Sequence, residues 1–272
     1  MTTLSVRPAQ PAGRSGILLA ATALLLVGVF VLPVLIAEFI GRAGGSTIAG
    51  LPNVAAHGFD RWVSSGSAEP GAALSSAVEF WRLFHGIKAV LAIGLLALLV
   101  VLSSRILAAY RTADTSGRRR ALAAGAGASA LTGLAIVLVI ANIQGMVAPL
   151  SSVLSFLPAG DPTPAMIAVH DDVVAGTTTA VGAALIDDFR LYHLAIVVCA
   201  VPIILGLIVA GLHIRTGWQR LPTTRRRRTD LLLTELPVVV IAVLLIVVVA
   251  ANISTVLDTA PALAAFLGGA GT

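Results

Sequence analysis

Apolar residues along this chain gather into five runs, 17–37, 86–107, 122–147, 191–213 and 231–253, and the segments between them hold most of the charge. A helix needs about 20 apolar residues to cross the hydrocarbon core of a bilayer, and every run meets that length. The pattern predicts five transmembrane helices in an all-α, polytopic membrane bundle. The first run follows an Arg-bearing segment, as the apolar core of a signal peptide does. It is longer than the roughly 7–15 residues of such a core, and no A-x-A cleavage pattern follows it, so it reads as a retained span.

The connecting segments alternate in sign. The amino-terminal tail with Arg7 and Arg14, the connector from Arg105 to Arg120 and the connector from Arg215 to Asp230 together carry 13 Arg. Glu38, Asp60, Glu69, Glu79, Asp161, Asp171, Asp172, Asp187, Asp188 and Asp258 belong to the other side. Arg and Lys concentrate on the cytoplasmic face of membrane proteins. The amino terminus and both Arg-rich connectors are therefore expected in the cytoplasm. The long loops 38–85 and 148–190 and the carboxyl tail are expected outside the cytoplasmic membrane of the cell. Arg118–Arg120 and Arg225–Arg228 are expected to meet anionic lipid headgroups, at about 1 kcal/mol per basic residue.

Composition removes the other classes. Of 272 residues, 57% are hydrophobic and 11% charged, and mean hydropathy is +0.98. Soluble domains carry about 25% charged residues. A chain this poor in charge cannot cover a water-facing surface, which excludes a soluble domain, a coiled coil and a disordered chain. The net charge of +5 sits in Arg clusters beside apolar runs, without the folded basic face that a nucleic acid requires. No nucleic-acid partner is expected. Cys199 is the single cysteine, so neither an intrachain disulfide nor a CxxC pair is possible.

Self-comparison reveals a repeated pattern. Glu79-Phe80-Trp81-Arg82-Leu83-Phe84-His85 precedes the second run, and Asp187-Asp188-Phe189-Arg190-Leu191-Tyr192-His193 precedes the fourth. Both read acid, any, aromatic, Arg, Leu, aromatic, His. Upstream, His57 with Asp60 recurs as His170 with Asp171 and Asp172. The odd-numbered runs end in Ile36-Ala37-Glu38, Ile140-Ala141-Asn142 and Ala250-Ala251-Asn252, with one polar residue at a shared register. Pro149 and Phe156 after the third run recur as Pro261 and Phe266 after the fifth. The chain thus divides into a tail 1–16, a unit 17–111, an Arg-rich connector 112–121, a second unit 122–220, and a segment 221–272 with the fifth span and an outer tail. The two units run in one direction, which predicts a pseudo-twofold axis along the membrane normal with spans two and four facing each other. Small residues in span three, with Gly94 and Gly206 in the even spans, are expected to bring helices close.

Arg82 with His85, and Arg190 with His193, are i, i+3 pairs that share a helix face. In one arrangement His85 and His193 ligate the iron of a haem b between them. Arg82 and Arg190 then hold the propionates, with Trp81, Phe84, Phe189 and Tyr192 beside the ring. In a second arrangement, His57, His170, Asp60, Asp171 and Asp172 join the same histidines as a nitrogen and oxygen site for zinc or copper. Glu38, Asn142 and Asn252 at one register are candidates to line an outward-facing polar cavity. The bland alternative is that aromatic, Arg and polar residues decorate the bilayer boundary, which selects them without any ligand.

The leading expectation is therefore a redox or binding module of the cytoplasmic membrane with an outward-facing His, Arg and acid site. A small transporter, channel or accessory subunit docking other membrane subunits is the second. The third is a membrane-embedded enzyme on a lipid-linked substrate, with Asp171, Asp172, Asp187 and Asp188 as acid–base or metal groups. No H-E-x-x-H helix or nucleophile elbow accompanies those acids.

Overall fold

The computed structural model describes residues 12–41, 47–157, 162–177, 179–219 and 225–268, and they form nine helices. Five are long: α1 (Ala12–Gly41), α3 (Ala72–Thr112), α4 (Thr115–Val147), α7 (Ala180–Gln219) and α8 (Arg225–Leu257). Four are short: α2 (Leu51–Ser65), α5 (Pro149–Leu154), α6 (Pro164–Val174) and α9 (Thr259–Leu267). All five long helices are long and apolar enough to cross a membrane. The chain is a multi-pass membrane protein, and no strand occurs among the described residues.

The long helices outrun the apolar runs that nucleate them. Loop 38–85 is not a loop over its second half, because α3 begins at Ala72 and carries the segment through His85 into the span without a break. No Gly or Pro interrupts 72–85 to stop it. At 1.5 Å per residue its 41 residues make a rod of about 60 Å, twice the hydrocarbon thickness. In the same way α7 begins at Ala180, well before the fourth apolar run. At the other end, Asp114 starts α4 early by accepting a hydrogen bond from the Gly117 N–H at 2.7 Å.

Packing follows chain order. The helix α3 lies between α1 and α4, and α7 lies between α4 and α8. Spans two and four therefore do not face each other across an axis as expected; α4 stands between them. Gly94 admits Leu25 of α1 to 3.1 Å from where a Cβ would sit, so close approach holds there, whereas nothing approaches Gly206. The α4–α7–α8 contact is made by Ile136, Ile140, Ala200 and Leu245.

The short helices form a cap. Phe59 and Trp62 of α2, Leu74 of α3, Leu150 and Leu154 of α5, Met166 and Val169 of α6, Leu185 of α7, and Leu263 and Leu267 of α9 bury one another in a single apolar core. The amphipathic face of α2 explains its place: Leu51, Ala55, Phe59 and Trp62 recur at helical spacing and are all buried. Gly66 in the left-handed conformation (φ 62°) ends that helix.

Candidate functional site

At the capped end of the bundle, two histidines meet two asparagines. His85 Nδ1 of α3 lies 2.9 Å from Asn142 Oδ1 of α4. The Asn142 amide nitrogen is committed to the Leu138 carbonyl at 2.6 Å, so its oxygen is the atom that faces the ring. That oxygen accepts, which puts the proton of the neutral imidazole on Nδ1 and leaves the lone pair on Nε2. Nε2 in turn is 3.4 Å from Ser152 Oγ of α5, and Ser152 Oγ accepts from Trp81 Nε1–H at 2.9 Å. The serine proton is thus free to point at Nε2. A directed chain results, from Trp81 through Ser152, His85 and Asn142 to the Leu138 carbonyl.

Sterics close this arrangement. A Cβ on Gly145 of α4 would sit 2.6 Å from His85 Cδ2 and Nε2, so the ring rests on a glycine backbone. Trp81 stacks on Phe84 at 4.7 Å and meets the His85 ring edge-on at 4.6 Å, with Phe156 against its other side at 5.1 Å. Asn142 is only 3% exposed. Both ring nitrogens and one face of His85 are spent inside the protein.

The second pair begins the same way and ends differently. His193 Nδ1 of α7 lies 2.7 Å from Asn252 Oδ1 of α8, and the Asn252 amide donates to the Val248 carbonyl at 2.7 Å. The tautomer is fixed as before, with the lone pair on Nε2. Phe189 flanks the ring at 4.7 Å and Tyr192 at 5.6 Å, and Phe266 of α9 packs on Phe189 at 5.8 Å. Phe189, however, stands where the first set has Trp81, and no indole donor exists. Thr255, three residues after Asn252, replaces Gly145. Among the described residues, His193 Nε2 has no hydrogen-bond partner, and the side chain is half-buried.

The arginines differ in the same sense. Arg82 pairs with Glu79 at 3.8 Å, while exposed Arg190 has no ion-pair partner among the described residues. Asp188, half-buried, accepts from the Ser151 N–H at 2.7 Å and so joins α7 to α5.

The other sequence candidates do not converge. His57 is exposed on α2. Asp60 accepts from the hydroxyl of Thr163, the N-cap of α6, at 3.5 Å. His170 Nδ1 is 2.9 Å from Asp171 Oδ1, and its ring packs on Gly268 at the end of α9. Asp172 is half-buried on α6. Among the described residues, no group of three or more His, Cys, Asp or Glu side chains is placed to hold a metal ion. Glu38 is half-buried near the end of α1. Asn142 and Asn252 are each committed to a histidine.

At the opposite, Arg-rich end, the structure shows a cluster absent from the sequence reading. Tyr110 of α3 donates to Asp230 Oδ1 of α8 at 2.6 Å. Arg118 of α4 reaches Asp230 Oδ2 at 3.3 Å and lies over the Tyr110 ring. The chain separation of 120 residues hid the first contact. The available signal was an acid, Asp230, standing alone beside Arg225–Arg228.

The fold and its capped end define a class, a multi-pass helical membrane protein with a packed helical cap over two histidine–asparagine pairs. Compared with known protein families, curated proteins and solved structures, the chain matches none.

Proposed function

We propose that this protein is a redox or binding module of the cytoplasmic membrane, built from two copies of one helical unit, in which His193 takes the guest and His85 pins the fold. The observation that carries this reading is the contrast at Nε2. His85 Nε2 faces Ser152 inside the protein, whereas His193, held at Nδ1 by Asn252, has no hydrogen-bond partner at Nε2 among the described residues. An imidazole whose Nδ1–H is fixed by a second residue is the usual form of a metal-ligating histidine.

One nitrogen among Phe189, Tyr192 and Phe266 suits a metal that arrives already held by a macrocycle. A bare zinc or copper ion needs further protein ligands, and no three-ligand group stands there. Haem b is therefore the favoured guest, and His193 would be the residue that ligates its iron. Arg190, one helical turn nearer the cap and unpaired, is available for a propionate. In the orientation favoured by the Arg-rich connectors, this site faces out of the cell.

The test is a reduced-minus-oxidised optical spectrum, with metal analysis, on protein purified from membranes. A Soret band is expected for the wild type and for His85→Gln, and its loss for His193→Gln. Absence of both chromophore and stoichiometric metal, or an unchanged spectrum in His193→Gln, overturns the proposal.

A further inference from the structure

Between the α3–α4 pair and the α7–α8 pair, at the Arg-rich end, lies a cavity of about 640 Å³. This is the size of sites that enclose whole small ligands, roughly 300–1,000 Å³. Small residues of α4 create it: Gly125, Ala126 and Ser129 face the space where larger side chains would have joined the pairs. The same stretch packs on α3, where Gly125 lies against Ile106, and leaves the space toward α7 and α8 unfilled. Toward the cap, the bulkier Ile136 and Ile140 of the same helix close the gap against Ala200 and Leu245.

The walls are mostly hydrocarbon, with Ser103, Ser129 and His213 among the polar residues that line them. Ser104, Thr132 and Thr234 line the cavity but turn their hydroxyls onto their own helices, to Val100, Ala128 and Asp230 carbonyls at 2.9, 2.8 and 3.0 Å. At the Arg-rich end stands Tyr110, tied to Asp230 and covered by Arg118. Asp230 is spent on Tyr110 and Arg118, and Asp114 on the first turn of α4. Arg119 and Arg120 remain exposed on α4, immediately before the cavity-lining Ala121 and Leu122. An apolar cleft of this size left empty would forfeit dispersion contacts along its whole lining; of the charges beside it, Glu235 is half-buried next to Thr234, and the exposed ones on α4 are Arg119 and Arg120.

We infer that this cavity binds the tail of an anionic phospholipid from the surrounding bilayer, with the phosphate-bearing headgroup at Arg118, Arg119 and Arg120. The charge of the rim selects the class of lipid. The tail supplies the packing that α4 lacks. In the proposed orientation this is the cytoplasmic leaflet, where anionic lipids and basic residues meet. The site is independent of His193, at the other end of the rods.

The experiment uses the full-length chain in mild detergent, with thermal unfolding followed as phosphatidylglycerol or phosphatidylcholine is added in mixed micelles, and native mass spectrometry of retained lipid. Phosphatidylglycerol is expected to raise the unfolding temperature and phosphatidylcholine to leave it unchanged. Arg119→Gln and Arg120→Gln, on the exposed rim where neither packs, should each weaken the phosphatidylglycerol effect about fivefold. Ala126→Phe fills the space and should abolish lipid retention, while His193→Gln should leave it intact. Equal stabilisation by both lipids overturns the inference, as does a retained neutral quinone in place of phospholipid. Undiminished binding of phosphatidylglycerol in the two Arg variants does so even if Ala126→Phe fails to fold.

Discussion

Replacing Gly145 by Ala tests the clamp around His85 directly. The added Cβ would lie 2.6 Å from two atoms of the imidazole, against about 3.5 Å or more for ordinary heavy-atom contact. The ring must therefore withdraw by about 1 Å. Its bond to Asn142 is now 2.9 Å, and such a retreat carries it past hydrogen-bonding range. Overpacking alone costs about 1–3 kcal/mol. A buried Asn oxygen left unpaired costs about 1–3 kcal/mol more, and Asn142 has no water to turn to at 3% exposure. A total of about 2–6 kcal/mol is expected, measured by equilibrium unfolding in detergent. The sharper readout is a double-mutant cycle with His85→Ala, which removes the clashing ring. In that background Gly145→Ala should cost almost nothing, a coupling of about 2 kcal/mol or more. A Gly145→Ala protein as stable as wild type, or one equally destabilised with and without His85, would refute the reasoning.

Two further outcomes follow from the Arg-rich end. Tyr110→Phe removes the 2.6 Å bond to a carboxylate that is 8% exposed, and a loss of about 1.5–3 kcal/mol in the same unfolding assay is expected for a bond to a charged group. Asp114 caps α4, and its carboxyl lies below the ordinary carboxylate range because it accepts from the Gly117 N–H and then from Ser116. A carboxyl so lowered contributes stability above about pH 4, and the contribution disappears as pH falls through the folded-state value. Asp114→Asn, which keeps a capping oxygen without the charge, should show a flatter acid limb than the wild type in unfolding scans from neutral to acidic pH.

Much of the architecture was legible in the hydrophobic pattern, because a bilayer demands long apolar helices and tolerates little else. All five spans stand where the runs lie. The extent of the helices was only partly legible, since the apolar runs mark the lipid-crossing part while α3 and α7 begin well before it, at Ala72 and Ala180. Of the candidate site, His85, His193, Asn142 and Asn252 were all visible as residues at matched registers. Their pairing was not. The histidines were expected to face each other and the asparagines to share a cavity with Glu38, whereas each histidine is met by the asparagine of the next span, 57 and 59 residues on. The matched offset is the signal that would have paired them. The roles of Gly145 and Ser152 had no sequence signature, because a glycine under a ring and a serine behind it take meaning only from a neighbouring helix.

The helical cap has a consequence for how this chain holds together. Its apolar core draws on residues outside the five hydrophobic runs, Phe59, Trp62, Leu154 and Met166 among them. Where the apolar runs mark the lipid, that core lies beyond it. The chain therefore folds in two solvents. Expulsion of water consolidates the cap. Between the spans lipid is as apolar as leucine, and only close fit and hydrogen bonds hold helix to helix. Urea should undo the first region and a harsh detergent the second, so the molecule has no single denaturant to which all of it answers.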